Sequence, residues 1–349
     1  MNIRERIEKR EKDTLQPKAS FSISTRGRKI KEEKDSLRTE YMRDRDRIIH
    51  AESFRRLKHK TQVFLAPRNE EFRTRLTHTL EVSQIARTIS RALDLNEDLT
   101  EAIALGHDVG HTPFGHAGED VIREIAYPDF KHSMQSVRVL ESIEKKGKGL
   151  NLTFEVLDGI EKHSKTGNIE IMPESNNEFS ETIEGEIVRV SDIIAYVNHD
   201  IDDAITSGIL KEKDLPKDSI DVLGKSHADR INAMVHDVIG QSADKEHISM
   251  SEDILRETKK LRNFLFEQVY QHPRIEKEMI KAKKILLELF ELFTKDIDII
   301  YEAMPFFRKK DDDKKRIVVD YIALMTDYEA MRLYYRYYIP KSFFISEQI

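Results

Sequence analysis

The sequence has no cysteine. That excludes a disulfide framework and any thiolate metal site, so a bound metal would have to rest on histidines and carboxylates. Glycine and proline are few, 13 and 9 in 349 residues, which leaves long stretches uninterrupted. No run reaches the ~18 apolar residues of a membrane span. The N-terminal stretch MNIRERIEKREKD lacks the apolar segment of a secretory signal. The expectation is a cytoplasmic chain with no membrane partner. An excess of one charge is missing too: 35 % of residues are charged, yet the signs are interspersed and the formal charge is only -6. That argues against a protein that coats nucleic acid, and single-stranded nucleic acid is not supported as a partner.

What is present is helical periodicity. Leu76, Leu80, Val82, Ile85, Ile89 and Leu93 recur at helical spacing, as do Ile187, Val190, Ile194, Val197 and Ile201, and then Ile254, Leu261, Leu265 and Val269. No two alternating apolar runs are joined by Asn-Gly or Asp-Gly, so sheet signals are weak. The fold class read from this pattern is all-α. Residues 1–36 are highly charged and predict an extended or flexible arm. Residues 37–206 predict one unit, with helices at 36–64, 76–94, 98–107, 133–145, 153–163 and 181–206. Residues 207–226 read as a polar connector, and 207–349 as a C-terminal helical region packed on the first unit. Pro67-Arg68-Asn69, Lys145 to Gly149 and Ile171 to Asn177 read as loops.

The strongest chemical signal is LGHDVGHTPFGHAGE at 105–119. It crowds His107, Asp108, His111, His116 and Glu119 into a bend with four glycines and a proline. His107 and Asp108 offer an imidazole nitrogen and a carboxylate oxygen, the donor types suited to Mn, Fe, Zn, Co or Mg without thiolates. Two adjacent ligands cannot hold a catalytic ion alone. His78, in RTRLTHTL (73–80), is one candidate partner, with Arg75 on the same side of its helix. Asp192 is the other. With Tyr196 and Asp200 it forms a polar stripe at i, i+4 and i+8 on an otherwise apolar helix. Burying such a stripe costs several kcal/mol unless a cation or ligand compensates it. A plain Arg189–Asp192 surface pair, worth ~0.3–0.5 kcal/mol, does not explain it.

The order H…HD…D, with its local strings, resembles the HD-domain phosphohydrolase superfamily, and within it the dGTPase-like deoxynucleoside triphosphate triphosphohydrolases. The strings are RDRDRIIHAESFRRLKHKTQVF (43–64), TRLTHTLEV (74–82), GHDVGHTPFGHAGE (106–119), KHSMQS (131–136), DGIEKHS (158–164), DIIAYVNHDIDDA (192–204) and DYIALMTD (320–327). The resemblance spans residues 17–205 and the helix near 315–338, but not 207–310.

It implies that His78, His107, Asp108 and Asp192 hold one divalent ion per active site. It implies cleavage between the α-phosphorus and the sugar O5′, giving a deoxynucleoside and inorganic triphosphate. His116 would be the general acid, oriented and kept protonated by Glu119, with His111 and His132 facing the phosphates. Arg75 would clamp phosphate. Tyr196 would pack under the deoxyribose, and Gln62 and Asp200 would bind the 3′-hydroxyl, with Val63 crowding out a 2′-hydroxyl. A homo-oligomer is implied, with a regulatory nucleotide as a further partner.

Two features depart from the pattern. The chain is shorter than many members, and Ile193 stands where some relatives carry a phosphate-touching Lys. Three positions keep a plainer alternative: His116 as a helix cap, His132 as a structural residue, and His163 as a cap near Gly167 rather than a second-metal ligand. His199 carries no functional assignment. Tyr334, Tyr335, Tyr337 and Tyr338 suit helix packing or a subunit contact. Two rival functions remain: another HD phosphohydrolase (a nucleotidase or phosphodiesterase), and a non-catalytic nucleotide- or nucleic-acid-binding protein.

Overall fold

Scarce helix breakers and the 3.6-residue apolar period produce helix after helix. The computed structural model describes residues 1–65, 71–164, 171–172 and 179–340, and among these no strand forms. Two isolated bridges, Arg28 with Thr153 and Thr61 with Thr74, are the only β-type pairings described. The loop expected at Pro67-Arg68-Asn69, most of the one at Ile171–Asn177, and Gly167 lie outside the described residues.

The chain opens with α1 (Ile3–Thr14), then α2 (Glu40–Ile49), α3 (Glu52–Arg56), α4 (Arg75–Ala92) and α5 (Glu97–Gly106). Next come α6 (His116–Ile125), α7 (His132–Arg138), a kinked turn α8 (Glu144–Gly147), α9 (Phe154–Lys162) and the long α10 (Ile183–Thr206). The remainder comprises α11 (Lys217–Leu223), α12 (His227–Ser242), α13 (Glu252–Leu265), α14 (Pro273–Lys295), α15 (Asp298–Ala303), α16 (Lys314–Leu324) and α17 (Asp327–Tyr338). Helices α4, α5, α9 and α10 pack on one another. Their apolar faces bury Val82, Ile85, Ile89, Ile103, Ile160, Ile187, Ile194 and Val197. Helices α12 and α13 cover α10, while α14 lies against α6, α16 and α17. No described helix is long and apolar enough to cross a membrane.

Three expectations need correction. Residues 1–36 are not simply an extended arm: α1 is helical, with Asn2 and Glu5 closing a capping box. The segment is pinned by polar contacts that its charge-rich sequence hides. Ser20 N donates to Glu184 (2.9 Å), and Arg28 bonds Glu40 and Asp44. The expected 36–64 helix breaks at His50-Ala51 with no proline or glycine there. The cause is tertiary: Ser53 N, at the start of α3, donates to Glu144 (2.7 Å). Finally, the 207–226 connector contains α11.

Asp44 ties the N-terminal segment to the core. Its side chain is fully buried beside Arg28 and accepts from the backbone N (2.9 Å) and hydroxyl (2.6 Å) of Thr153. Asp44→Ala would strip one partner from a buried ion pair, which costs about 3 kcal/mol at the lower end of such losses. We take the lower end because Glu40 still holds Arg28. Urea unfolding checks this, and a loss under 1 kcal/mol would contradict it.

Candidate active site

Most candidate side chains are delivered by a helix end or by the glycine-rich bend, and the rest by the body of one long helix. His78 sits in the first turn of α4, three residues after Arg75. His107 is the C-terminal cap of α5, and Asp108 follows it into the bend. His116 is the first residue of α6 and His132 the first of α7. Asp192, Tyr196 and Asp200 lie along α10.

The bend needs its glycines. A Cβ on Gly110 would come within 2.1 Å of Ser136 N on α7. Gly115 has φ +58°, and its Cβ would press on the Arg75 guanidinium at 2.9 Å. Phe114 also adopts a left-handed φ of 62°, a cost of order 1–3 kcal/mol for a non-glycine residue. Its N–H is held by Asp327 at 2.9 Å. Lys60, fully buried, braces the same bend by donating to the carbonyls of His111 and Ala323. Burial, helped by Arg75 and Arg56, lowers its pKa to about 7.

The structure brings His78, His107, Asp108 and Asp192 together. His78 Nε2 lies 3.1 Å from Asp192 Oδ1 and 3.7 Å from Asp108 Oδ2. His107 Nε2 lies 3.4 Å from Asp108 Oδ1 and 4.0 Å from Asp192 Oδ1. His78, His107 and Asp192 can each offer one atom to a common ion, as can Asp108 with His107 and His163, or with His111 and His132. The donor set passes a physical test. His107 Nδ1 lies 2.7 Å from the Ala104 carbonyl, so it carries the proton and Nε2 is a lone pair. That Nε2 is buried without a hydrogen-bond partner and faces two carboxylates, an arrangement that a cation would satisfy.

Electrostatics keep the carboxylates ionised. Burial pushes Asp108 up, but His107, His111 and Arg75 outweigh it and hold its pKa well below the ordinary range. Arg75 reaches Asp108 at 2.8 Å. Burial opposes the shift at Asp192 as well, and His78 overrides it. His78 is raised, because Asp192 and Asp108 outweigh desolvation.

Glu119 departs from its expected role. Its Oε1 lies 2.9 Å from both His111 Nδ1 and His132 Nδ1, and Oε2 is 2.7 Å from Arg123. The carboxylate serves the stacked pair His111 and His132, whose ring centroids are 3.8 Å apart, rather than orienting His116. His116 is exposed, its ring 5.9 Å from the His111 ring. Desolvation, discounted by that exposure, and the cations Arg75 and His132 bias it toward the neutral form, with the Glu119 charge opposing them.

Among the residues expected on the sugar side, Gln62 Oε1 is buried with no donor. Tyr196 is partly buried on the core. Asp200 already accepts from the Tyr270 hydroxyl. Two contributors were not singled out from the sequence, His199 against His78 (2.8 Å) and Tyr270. Their contacts cross between segments and leave no local signature.

His163 does two things at once. It caps α9, with Nδ1 2.6 Å from the Ile160 carbonyl, and it turns Nε2 toward His132 at 3.2 Å. Burial, then His107 and His132, lower its pKa to about 3. Below about pH 6.5 the unfolded chain therefore takes up a proton there that the native chain refuses, so this site removes stability as pH falls. In the metal-free protein, His163→Gln should flatten the stability loss between pH 6.5 and 4 by close to one proton. Urea midpoints across that range measure it, and an unchanged slope would contradict the assignment.

Comparison with known proteins agrees with this geometry. Residues 75–234 match the HD domain family model and 248–336 the phosphohydrolase-associated domain. The chain is 49 % identical over 348 residues to a deoxyguanosinetriphosphate triphosphohydrolase-like protein of Desulfatibacillum aliphaticivorans, covering 97 % of this chain and 99 % of that one. It is 51 % identical to one of the same description from Caldanaerobacter subterraneus subsp. tengcongensis, covering 99 % and 98 %. A crystal structure of a phosphohydrolase from Bacteroides thetaiotaomicron shares the fold, with a TM-score of 0.52 at 15 % identity over 83 % of this chain and 68 % of that one. The chain therefore belongs to the HD-domain family of deoxyguanosinetriphosphate triphosphohydrolase-like proteins.

Proposed function

We propose that the chain hydrolyses deoxynucleoside triphosphates to deoxynucleoside and inorganic triphosphate, using one divalent cation. The observation that carries this reading is the meeting of two imidazoles and two carboxylates around the orphaned His107 Nε2, with Arg75 alongside. The names of the relatives supply the substrate class.

His78, His107, Asp108 and Asp192 would hold the ion, which when bound supplies Lewis-acid polarisation of the α-phosphate and acidifies a water. The remaining work falls to side chains. Arg75 offers a second guanidinium edge to phosphate while its first stays on Asp108. His132, raised because Glu119 and Asp108 outweigh burial, meets the triphosphate as a cation, with His111 stacked behind it. His116 gives the leaving O5′ its proton. The substrate's negative charge, about four near neutral pH, offsets the bias that keeps this imidazole neutral in the free protein. Gln62 and Asp200 take the 3′-hydroxyl, and Tyr196 lies under the deoxyribose.

Incubating the pure chain with each dNTP and Mn or Mg should release deoxynucleoside and triphosphate in equal amounts. Orthophosphate or pyrophosphate instead would refute the assigned cleavage and favour another phosphohydrolase reaction. Which of Mn, Mg, Fe, Zn or Co is native follows from metal analysis of unsupplemented protein. We also assign a homo-oligomer in the cytoplasm with a regulatory nucleotide. Sedimentation with and without dNTP tests the oligomer and its response to nucleotide.

A further inference from the structure

We propose that His199 is a positioning residue for His78, the last link of a polar chain that starts at Tyr270 in the phosphohydrolase-associated segment. The inference rests on the reading of His78 as a metal ligand. His199 is completely buried, and its ring meets that of His78 edge-on, with centroids 5.1 Å apart and planes at 80°. Its Nε2 lies 2.8 Å from His78 Nδ1. Two imidazole nitrogens at that separation share one proton, and the neighbours decide who owns it.

His199 Nδ1 lies 2.8 Å from Asp200 Oδ1. The two atoms are close but not aligned as a hydrogen bond, each being buried without a hydrogen-bond partner, and the adjacent carboxylate charge favours the tautomer with the proton on Nδ1 and Nε2 as the acceptor. His78 Nδ1 then donates, so Nε2, which in the metal-free protein faces Asp192 Oδ1 at 3.1 Å, is the nitrogen left to give up its proton to a cation held by Asp192 and Asp108. That is the tautomer and direction a metal ligand needs. Asp200 is itself fixed from the far side, because its Oδ2 accepts from the Tyr270 hydroxyl. Tyr270 closes the π-turn Phe266–Tyr270 that ends α13, and such turns recur at functional sites. The chain Tyr270, Asp200, His199, His78 thus links the segment after residue 248 to an imidazole on α4.

A histidine that merely filled space could be replaced by an apolar side chain without consequence for metal binding. A positioning histidine could not. In the full-length chain, Mn(II) affinity followed by electron paramagnetic resonance should fall about 10–100-fold in His199→Leu. His199→Gln, whose amide oxygen can accept from His78 Nδ1, should stay within a few-fold of wild type. Unchanged Mn affinity in folded His199→Leu would overturn the proposal. If that variant does not fold, the Zn-loaded wild-type chain still decides by 15N NMR. A through-hydrogen-bond coupling between His78 Nδ1 and His199 Nε2 supports the proposal, and a His78 Nδ1 without a proton overturns it. A wild-type chain that binds neither Mn nor Zn would instead sink the metal-site reading beneath it.

Discussion

Asp192→Ala is expected to abolish detectable Mn binding and to lower dNTP hydrolysis by ~10³-fold or more, the rate equivalent of the several kcal/mol a catalytic ion contributes. Asp192 stands on α10, apart in sequence from the bend, yet its Oδ1 is within 4.0 Å of both His78 Nε2 and His107 Nε2. Like Asp108, it faces both imidazoles. Without it, the pair faces Asp108 alone, and Asp108 is already shared with Arg75. The variant should therefore lose the stability increment that Mn gives the wild type, about 2.7 kcal/mol at one hundred times the dissociation constant. Thermal melts with and without Mn, run beside the activity assay, separate this from simple misfolding. A folded variant that still melts higher in Mn, or that keeps full activity, would remove Asp192 from the site.

The elements that set this geometry were legible to different degrees. The amphipathic spacing of Leu76 to Leu93 predicted a helix at 76–94, and α4 runs from Arg75 to Ala92. The bend was legible because close backbone approach demands glycine, as at Gly110 against α7. The break between α2 and α3 was not, since its cause is a carboxylate 91 positions downstream, Glu144 at Ser53 N. Lys60 reads as a solvated lysine in a charge-rich stretch, and only the fold reveals it buried beneath the bend. Glu119 shows the same limit at the site. Helical spacing placed it near His116 at i+3, but it could not show that His111 and His132 would converge on the same oxygen. Periodicity reports which face a residue occupies, not which distant side chain meets it there.

That convergence leads to the second large effect. Glu119→Gln should leave Mn affinity close to wild type while lowering kcat by ~10²–10⁴-fold, the range assigned to a positioned acid–base group. The carboxylate bonds His132 Nδ1 and the Arg123 guanidinium and lies 2.9 Å from His111 Nδ1, and a neutral amide cannot serve all three. His111 and His132 hold the Glu119 pKa well below its ordinary value against the effect of burial, so the carboxylate is anionic at every working pH. The reciprocal effect is on His132, where Glu119 and Asp108 outweigh desolvation and raise the pKa. Neutralising Glu119 lets burial prevail, and the His132 pKa drops. If His132 must be protonated to receive the triphosphate, kcat/KM falls once pH exceeds that pKa, so the alkaline limb of the profile should move to lower pH in the variant. A merely structural carboxylate would change stability and leave the limb where it was. Superimposable pH profiles in a folded, Mn-binding Glu119→Gln enzyme would therefore exclude the charge on Glu119 from the reaction.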